Sequence, residues 1–131
     1  MSNLQEWLFD TNCLIDIYRG RARIRPIFNN LLDGALAPYM SVITEAELWR
    51  GLRTGEIERH EALVARFTVL PLHSEAARLA GSWMQQHQAI GLGWMDALIT
   101  ATAKVNGVAV LTRDKKLAYL LAKEADFTLY A

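Results

Sequence analysis

The chain has 131 residues, which is enough for one domain that buries its own apolar core without a disulfide or a structural metal. Its 14 Lys and Arg balance 14 Asp and Glu, and this neutral charge argues against a passive, sequence-independent nucleic-acid binder, because such proteins are usually strongly basic. The single cysteine, Cys13, excludes an intramolecular disulfide and favours a cytoplasmic location, and we expect neither a signal peptide nor a membrane span. We therefore predict a single domain over residues 1–131.

The first half of the chain alternates extended and helical patterns. In order, we predict a strand, two helices, an extended run and a further helix, over residues 4–9, 13–19, 24–32, 36–42 and 44–52. Thr44 and Glu47 have the spacing of a capping box, which predicts that they close the start of the last of these helices.

The second half continues the alternation. We predict a helix, a strand, two helices, a strand, a helix and a final strand, over residues 56–67, 67–70, 74–89, 94–105, 108–111, 115–123 and 127–130. Ser74 is a plausible N-cap, and the apolar run 108–111 suits a strand that is covered on both faces. Strands alternating with helices predict an α/β domain with a mostly parallel sheet, in which ligands bind beyond the carboxyl ends of the strands.

Four acidic residues are expected near that edge of the sheet. Asp10 and Asp114 each follow a predicted strand, Asp96 lies in the first turn of an apolar helix, and Glu47 lies on the helix after the extended run. Each has an ordinary structural alternative, since acids commonly cap helices or complement the helix dipole. Glu45 and Glu47 point to nearly opposite helix faces, so only one of them can join a shared site.

Taken together, the four acids indicate a metal site. Crowded carboxylates repel one another unless a cation intervenes, and Mg²⁺ and Mn²⁺ prefer oxygen ligands. His60, His73 and His87 match no zinc spacing, and the chain contains no Walker lysine motif, paired-glycine dinucleotide loop or serine elbow.

Four sequence blocks resemble the motifs of the PIN domain family, in the family's order. They read LFDTNCLID, SVITEAELWRG, MDALITATA and VLTRD, over residues 8–16, 41–51, 95–103 and 110–114. In the second block the family's functional acid is the glutamate before leucine, which favours Glu47 over Glu45. The compact length resembles the VapC-type toxins of type II toxin–antitoxin pairs.

This resemblance implies a three-layer α/β/α sandwich and a Mg²⁺- or Mn²⁺-dependent endoribonuclease. It also implies a homodimer and a cognate antitoxin protein that blocks the cleft. As a hypothesis, Asp10, Asp96 and Asp114 hold one or two divalent ions, and Glu47 completes the ligand set directly or through water. RNA is then cleaved by in-line attack on a phosphodiester.

Neighbouring polar residues are candidates for supporting roles. Asn12 and Thr112 could orient carboxylates or waters, with turn and cap hydrogen bonds as an equal alternative. Arg50, Arg113 and Lys115 could contact RNA phosphates. For the basic stretch Arg19, Arg21, Arg23 and Arg25, a solvated helix surface is slightly favoured. Trp49, Trp83 and Trp94 could stack on bases, but burial in the core or in a dimer interface is favoured for each.

Two other functions stay open from the sequence. A haloacid dehalogenase-like phosphatase also has an acid after its first strand, but it usually has a second Asp where this chain has Asn12. A catalytically silent PIN-like binding scaffold is the other alternative, and the four intact acids argue against it.

Overall fold

Five parallel strands form a central sheet in the computed structural model, which describes residues 4–130. The strands are β1 (Gln5–Phe9), β2 (Leu36–Ser41), β3 (Thr68–Leu70), β4 (Ala109–Thr112) and β5 (Phe127–Leu129). Their spatial order is β3-β2-β1-β4-β5, and every neighbouring pair is parallel. The ends of the predicted single domain, residues 1–3 and 131, lie outside the described residues. The all-parallel sheet agrees with the mostly parallel sheet that the sequence predicts.

Helices connect the strands as parallel pairing requires, since each connection must cross back over the sheet. Over residues 4–130 the α-helices are α1 (Thr11–Tyr18), α2 (Arg25–Leu32), α3 (Val42–Gly51), α4 (Ile57–Val64), α5 (Ser74–His87), α6 (Trp94–Val105) and α7 (Lys115–Leu120). Short 3₁₀ helices precede α2 and α4 and follow α5, at Ala22–Ile24, Thr54–Glu56 and Gln88–Ile90. None of the helices formed by residues 4–130 is long and apolar enough to cross a membrane.

The helices form one layer on each face of the sheet. Adjacent residues of a strand point to opposite faces, and Phe9 and Leu111 accordingly pack with buried residues of α1 to α4. Leu8 and Val110 pack on the other face against α6, and α6 also packs with α5 and α7. The result is the three-layer α/β/α sandwich that the family resemblance implies.

Helix ends account for most of the differences from the predicted elements. The predicted capping box is wrong, because Ser41 caps α3 by accepting a 3.0 Å hydrogen bond from the Ile43 amide. The predicted Ser74 cap is also wrong, because Ser74 is already the first residue of α5 and His73 occupies the cap position. By contrast, α6 has the predicted bounds, and Gly107 beyond its end adopts a left-handed φ of 69°.

Candidate active site

The carboxyl ends of β1 and β4, which are neighbours in the sheet, bring Asp10 and Asp114 to one edge. Phe9 pairs with Leu111, and the backbone continues this contact with a 3.0 Å bond from the Asp10 amide to the Leu111 carbonyl. Asp114 follows two residues after the end of β4. α3 and α6 bring Glu47 and Asp96 to the same region. The charges of Asp114 and Glu47 act on Asp10, and the charges of Asp10, Asp114 and Glu47 act on Asp96.

Asp10 is almost fully buried and does not cap the helix that it precedes. It occupies the N-cap position of α1, but its side chain makes no capping hydrogen bond. Instead its Oδ2 accepts a 2.7 Å hydrogen bond from the Thr112 hydroxyl. Burial raises the pKa of Asp10, and the charges of Asp114 and Glu47 raise it further, although the Thr112 bond acts in the opposite direction. The carboxylate is therefore held where ionisation is costly.

Asp114 both caps a helix and belongs to the cluster of four acids. Its Oδ1 caps α7 by accepting a 3.0 Å hydrogen bond from the Leu117 amide. The Asp114 amide donates a 3.0 Å bond to the Thr112 hydroxyl, which itself donates to Asp10. The buried Thr112 therefore links the two carboxylate-bearing turns through one oxygen atom. Whether this link orients metal ligands stays a prediction.

Asp96 is half-buried in the first turn of α6. Burial and the charges of Asp10, Asp114 and Glu47 together raise its pKa from 3.8 to about 6. Loss of water and the neighbouring negative charges both disfavour the ionised form. This agrees with the expectation that an acid set into an apolar helix loses solvation.

Glu47 is held by a pair of threonines that the predicted site does not include. Its Oε1 accepts a 2.7 Å hydrogen bond from the Thr11 hydroxyl, and the Thr11 and Thr44 hydroxyl oxygens lie 2.9 Å apart. Because Thr11 gives its single hydroxyl proton to Glu47, Thr44 donates to Thr11. Thr44 thus supports the Glu47 side chain through Thr11 rather than by capping. The sequence offered one signal for this role: Thr11 directly follows Asp10, and Thr44 lies three residues before Glu47.

None of the four acids has a cationic side chain within salt-bridge distance among residues 4–130. In the described part of the chain both ion pairs involve another residue, Asp16, and none involves the four acids. A small cavity is lined by Asp96, Asp114 and Lys116, beside Gly91, whose φ of 108° favours glycine. Lys116 therefore lines a cavity with two of these acids, although it is exposed, as is the predicted RNA contact Lys115.

The donor set fits a hard divalent cation in its chemistry. All four candidates are carboxylates. Burial, and to a smaller extent their mutual repulsion, raises the pKa values of Asp10 and Asp96, and a divalent cation offsets the repulsion. Between residues 4 and 130, however, no three His, Cys, Asp or Glu side chains form a group that could hold a metal ion. Mg²⁺ commonly keeps several waters and needs only one or two direct carboxylates. The set is therefore compatible with an ion that is bound partly through water.

Two further predicted residues have surroundings that the sequence does not reveal. Arg113 donates from Nε to the buried Asp16 at 3.0 Å, so its guanidinium is already engaged in an ion pair. Asn12 lies in the first turn of α1, and its side chain makes no hydrogen bond with the described residues. The predicted roles of Arg113 in RNA contact and of Asn12 in orienting ligands stay predictions.

Asp16 is the residue that sequence reasoning missed. Its carboxylate is fully buried and accepts hydrogen bonds from Arg21 at 3.1 Å, Arg113 at 3.0 Å and the Tyr130 hydroxyl at 2.8 Å. It therefore ties α1 to the residue before Asp114 and to the chain beyond β5. The only signal in the sequence was an acid within an otherwise apolar helix, six residues after Asp10.

Cys13 and Trp83 are buried, whereas Trp49 and Trp94 are partly exposed. Cys13 is fully buried, and burial raises the pKa of its thiol, so Cys13 packs in the core as a small apolar side chain. Trp83 lies in the core as predicted. Trp49 and Trp94 do not, since they are 43% and 49% exposed.

Comparisons with known proteins match this chain to one protein family and to a named relative. A family model described as "PIN domain" matches residues 7–122. The chain is 39% identical over 110 residues to Ribonuclease VapC10 of Mycobacterium tuberculosis, and the match covers 80% of each chain.

Solved structures share the fold. FitAcB from Neisseria gonorrhoeae is 28% identical, with a TM-score of 0.72 over 92% of this chain and 96% of that one. VapBC-1 from nontypeable Haemophilus influenzae is 22% identical, with a TM-score of 0.79 over 95% and 98% of the two chains.

We expect Asp16→Asn to lower the free energy of unfolding by about 2–3 kcal/mol, because it weakens charge-assisted hydrogen bonds to two arginines at a buried position. Urea unfolding followed by circular dichroism measures this change. The matched control is Asp33→Asn, an exposed carboxyl at the end of α2, which should change stability by less than about 0.5 kcal/mol. Equal effects of the two substitutions would show that Asp16 does not organise the fold.

Proposed function

Because the chain belongs to the PIN domain family, we propose that it is a divalent-metal-dependent endoribonuclease that cleaves RNA phosphodiester bonds. The observation that carries this proposal is the set of four carboxylates at the sheet edge, which repel one another without a cationic partner within salt-bridge distance among the described residues. The relative named as a ribonuclease supports the reaction class. The described residues give no observation in favour of the phosphatase, and the relative named as a ribonuclease weighs against the silent scaffold.

The proposed metal-binding residues are Asp10, Asp96, Asp114 and Glu47, and the proposed ion is Mg²⁺ or Mn²⁺. When bound, such an ion supplies a water of lowered pKa and offsets the charge that develops on the phosphate. The chain's own contribution is to fix the carboxylates in advance. Thr112 holds Asp10, the Leu117 amide holds one oxygen of Asp114, and Thr11 holds Glu47.

Basic residues near the acids would hold the substrate. Arg50 is exposed on α3, and Lys115 is exposed at the start of α7, so both are accessible to RNA phosphates. Arg113 is half-buried, and its Nε already bonds Asp16, so any contact with RNA would use its other guanidinium nitrogens. We propose that Asp16 positions Arg113, and through the backbone Asp114, rather than contacting substrate.

The cellular role that we propose is the toxin of a type II toxin–antitoxin pair. The similar solved structures include complexes that their names describe as toxin–antitoxin or VapBC assemblies. By analogy, a cognate antitoxin would block the cleft, and the chain would act as a homodimer in the cytoplasm.

We expect Asp96→Asn to lower the rate of Mn²⁺-dependent RNA cleavage by more than about a hundredfold, because even indirect metal partners cost 10- to 100-fold when they are replaced. The measurement is gel analysis of a labelled RNA mixture. Glu45→Gln is the control, since Glu45 lies on the opposite face of α3 from Glu47 and should leave the rate within about twofold. Retained cleavage by Asp96→Asn would contradict the site assignment.

We expect the melting temperature to rise with Mn²⁺, and to rise more above about pH 7 than near pH 5. Burial and the neighbouring acids raise the pKa of Asp96 from its usual 3.8 to about 6, so it binds a proton at low pH and must lose that proton to bind metal. At a concentration of about 100 times the Kd, the ion should add about 2.7 kcal/mol.

Without metal, the stability of the fold changes with pH in the opposite direction. A carboxyl with a raised folded pKa makes the fold less stable as pH rises from about 4 to about 6. Asp96→Asn should therefore melt higher than the unsubstituted chain at neutral pH in a chelating buffer, and should lose most of the Mn²⁺ response. Thermal scans at the two pH values measure both effects. A rise in melting temperature with Mn²⁺ that is equal at the two pH values, or that is unchanged in Asp96→Asn, would count against Asp96 as a metal ligand.

Expression in a bacterial host should arrest growth if the chain is a toxin, because cleavage of a shared RNA stops translation. Asp96→Asn should permit growth at the same expression level, and Glu45→Gln should arrest it. Culture density after induction, with immunoblots to match protein amounts, measures the effect. Equal growth of all three strains would contradict the toxin role but not the nuclease chemistry.

A further inference from the structure

A groove extends from one of the four acids between α1 and α3. Its volume is about 540 Å³, and its charged lining residues are Glu47, Arg19, Arg50, Arg53 and Glu56. We refer to it as the arginine groove. Because Glu47 belongs both to this groove and to the cluster of acids, the groove begins at the site where we propose that RNA is cleaved.

The arginine groove has more positive than negative charge, and its guanidinium groups are free to bind a ligand. Arg19, Arg50 and Arg53 are exposed, and both ion pairs formed within residues 4–130 use other arginines. The two acids, Glu47 and Glu56, instead accept hydrogen bonds from a hydroxyl group and from a backbone amide. Like charges that share one groove repel one another, so a bound anion would stabilise this arrangement.

The helix dipole explains only part of this arrangement. Arg19 directly follows α1, and Arg50 lies in the last turn of α3. A cation at such a position stabilises a helix by about 0.3–1 kcal/mol, and the effect is confined to the last turn. Arg53 lies two residues beyond the end of α3. Its place in the groove therefore needs another explanation.

The structure also divides the basic stretch between residues 19 and 25. Arg21 forms an ion pair with Asp16, and Arg25 donates to a backbone carbonyl at 3.3 Å. Arg23 is exposed and does not line the groove, whereas Arg19 does. The stretch is therefore not a uniform solvated surface, and Arg23 provides a control for Arg19.

We propose that the arginine groove binds the phosphates of a single RNA strand on one side of the bond that is cleaved. Arg19 and Arg53 join Arg50 as phosphate contacts, since a guanidinium group donates two parallel hydrogen bonds to phosphate oxygens. This assignment rests on the proposed ribonuclease function. It adds the direction in which the substrate extends from the acids.

The size of the groove favours a single strand. Pockets of about 300–1,000 Å³ hold one small molecule, so about 540 Å³ accommodates one or two nucleotides. Double-stranded RNA is instead recognised across a span of about 16 base pairs. Ile15 and Leu52, which are half-buried in the lining, provide apolar contacts for a sugar or an unpaired base. A protein segment is the competing class of ligand, and it predicts that these arginines contribute nothing specific to RNA binding.

Two pairs of substitutions remove the same charge from different places. The groove pair is Arg19→Gln with Arg53→Gln. The control pair is Arg23→Gln with Arg78→Gln, because Arg23 and Arg78 are exposed, form no ion pair among residues 4–130 and lie outside the groove. Surface substitutions of this kind usually change stability by less than about 0.5 kcal/mol, so both variants should fold.

The experiment measures binding of a fluorescein-labelled, unstructured RNA strand by anisotropy between about 50 and 200 mM KCl. A chelating buffer keeps the RNA intact. Each phosphate contact with a single strand contributes about 0.7 to the slope of log affinity against log salt. The groove pair should therefore lower the magnitude of this slope by about 1.4 and raise the Kd about tenfold, whereas the control pair should change the slope by less than about 0.3.

Competition tests the preference for a single strand. The unlabelled strand should displace the labelled RNA at about tenfold lower concentration than the same strand annealed to its complement. Equal competition by strand and duplex overturns the proposal. Equal changes of slope in the groove pair and the control pair also overturn it, as does an unsubstituted chain that binds no RNA.

A cleavage assay with Mn²⁺ separates this proposal from the ribonuclease function. The groove pair should raise KM about tenfold and leave kcat within about twofold, because it removes binding that is equal in the ground and transition states. Cleavage by the unsubstituted chain, with a slope that the groove pair leaves unchanged, removes the arginine groove and keeps the ribonuclease. A slope that falls only in the groove pair, with no cleavage by the unsubstituted chain, supports the groove and overturns the ribonuclease.

Discussion

Repulsion among four carboxylates is the constraint on which the rest of the site depends. A parallel sheet brings the carboxyl ends of β1 and β4 together, so Asp10 and Asp114 must share one edge. α3 and α6 add Glu47 and Asp96. Burial is the largest cause of the raised pKa of Asp96, about 6, and the charges of Asp10, Asp114 and Glu47 raise that pKa further. Burial also strengthens the repulsion, because it removes the water that would screen the charges. The fold therefore holds an arrangement that is unfavourable by itself, and a bound cation would offset this cost.

Hydroxyl groups, rather than basic side chains, hold two of these carboxylates, Asp10 and Glu47. Thr112 serves Asp10 and the turn of Asp114, and Thr11 serves Glu47. A hydroxyl fixes a carboxylate oxygen without neutralising it, so the negative charge remains for a cation. Asp16, on α1, shows the opposite solution, because it forms ion pairs with the partly exposed side chains of Arg21 and Arg113. The chain thus separates an acid that stabilises structure from acids that keep their charge.

The sequence predicted the helices and strands more accurately than it predicted the residues at which they begin and end. The Ala-rich segment between Gly93 and Gly107 gave the correct bounds of α6, because glycines end a helix through local backbone preferences. The predicted cap of α3 was wrong, because Ser41, Thr44 and Glu47 all have side chains that can cap a helix. The hydrogen-bond partners of these side chains in the folded chain decide which of them does so. Asp16 was missed for the same reason. An acid in an apolar helix is understood only when Arg113, 97 residues away, is in contact with it.

The sequence by itself determined the fold class and the identity of the four acids, because periodicity and short motifs are properties of adjacent residues. Their roles in metal binding and RNA cleavage stay predictions. Only the tertiary structure decided which oxygen each hydroxyl holds, that Arg113 is paired with Asp16, and that Arg19 and Arg53 line one groove with Glu47. These facts depend on the distances between residues remote in sequence. Burial and the Coulomb energy, which set the pKa values, depend on those same distances.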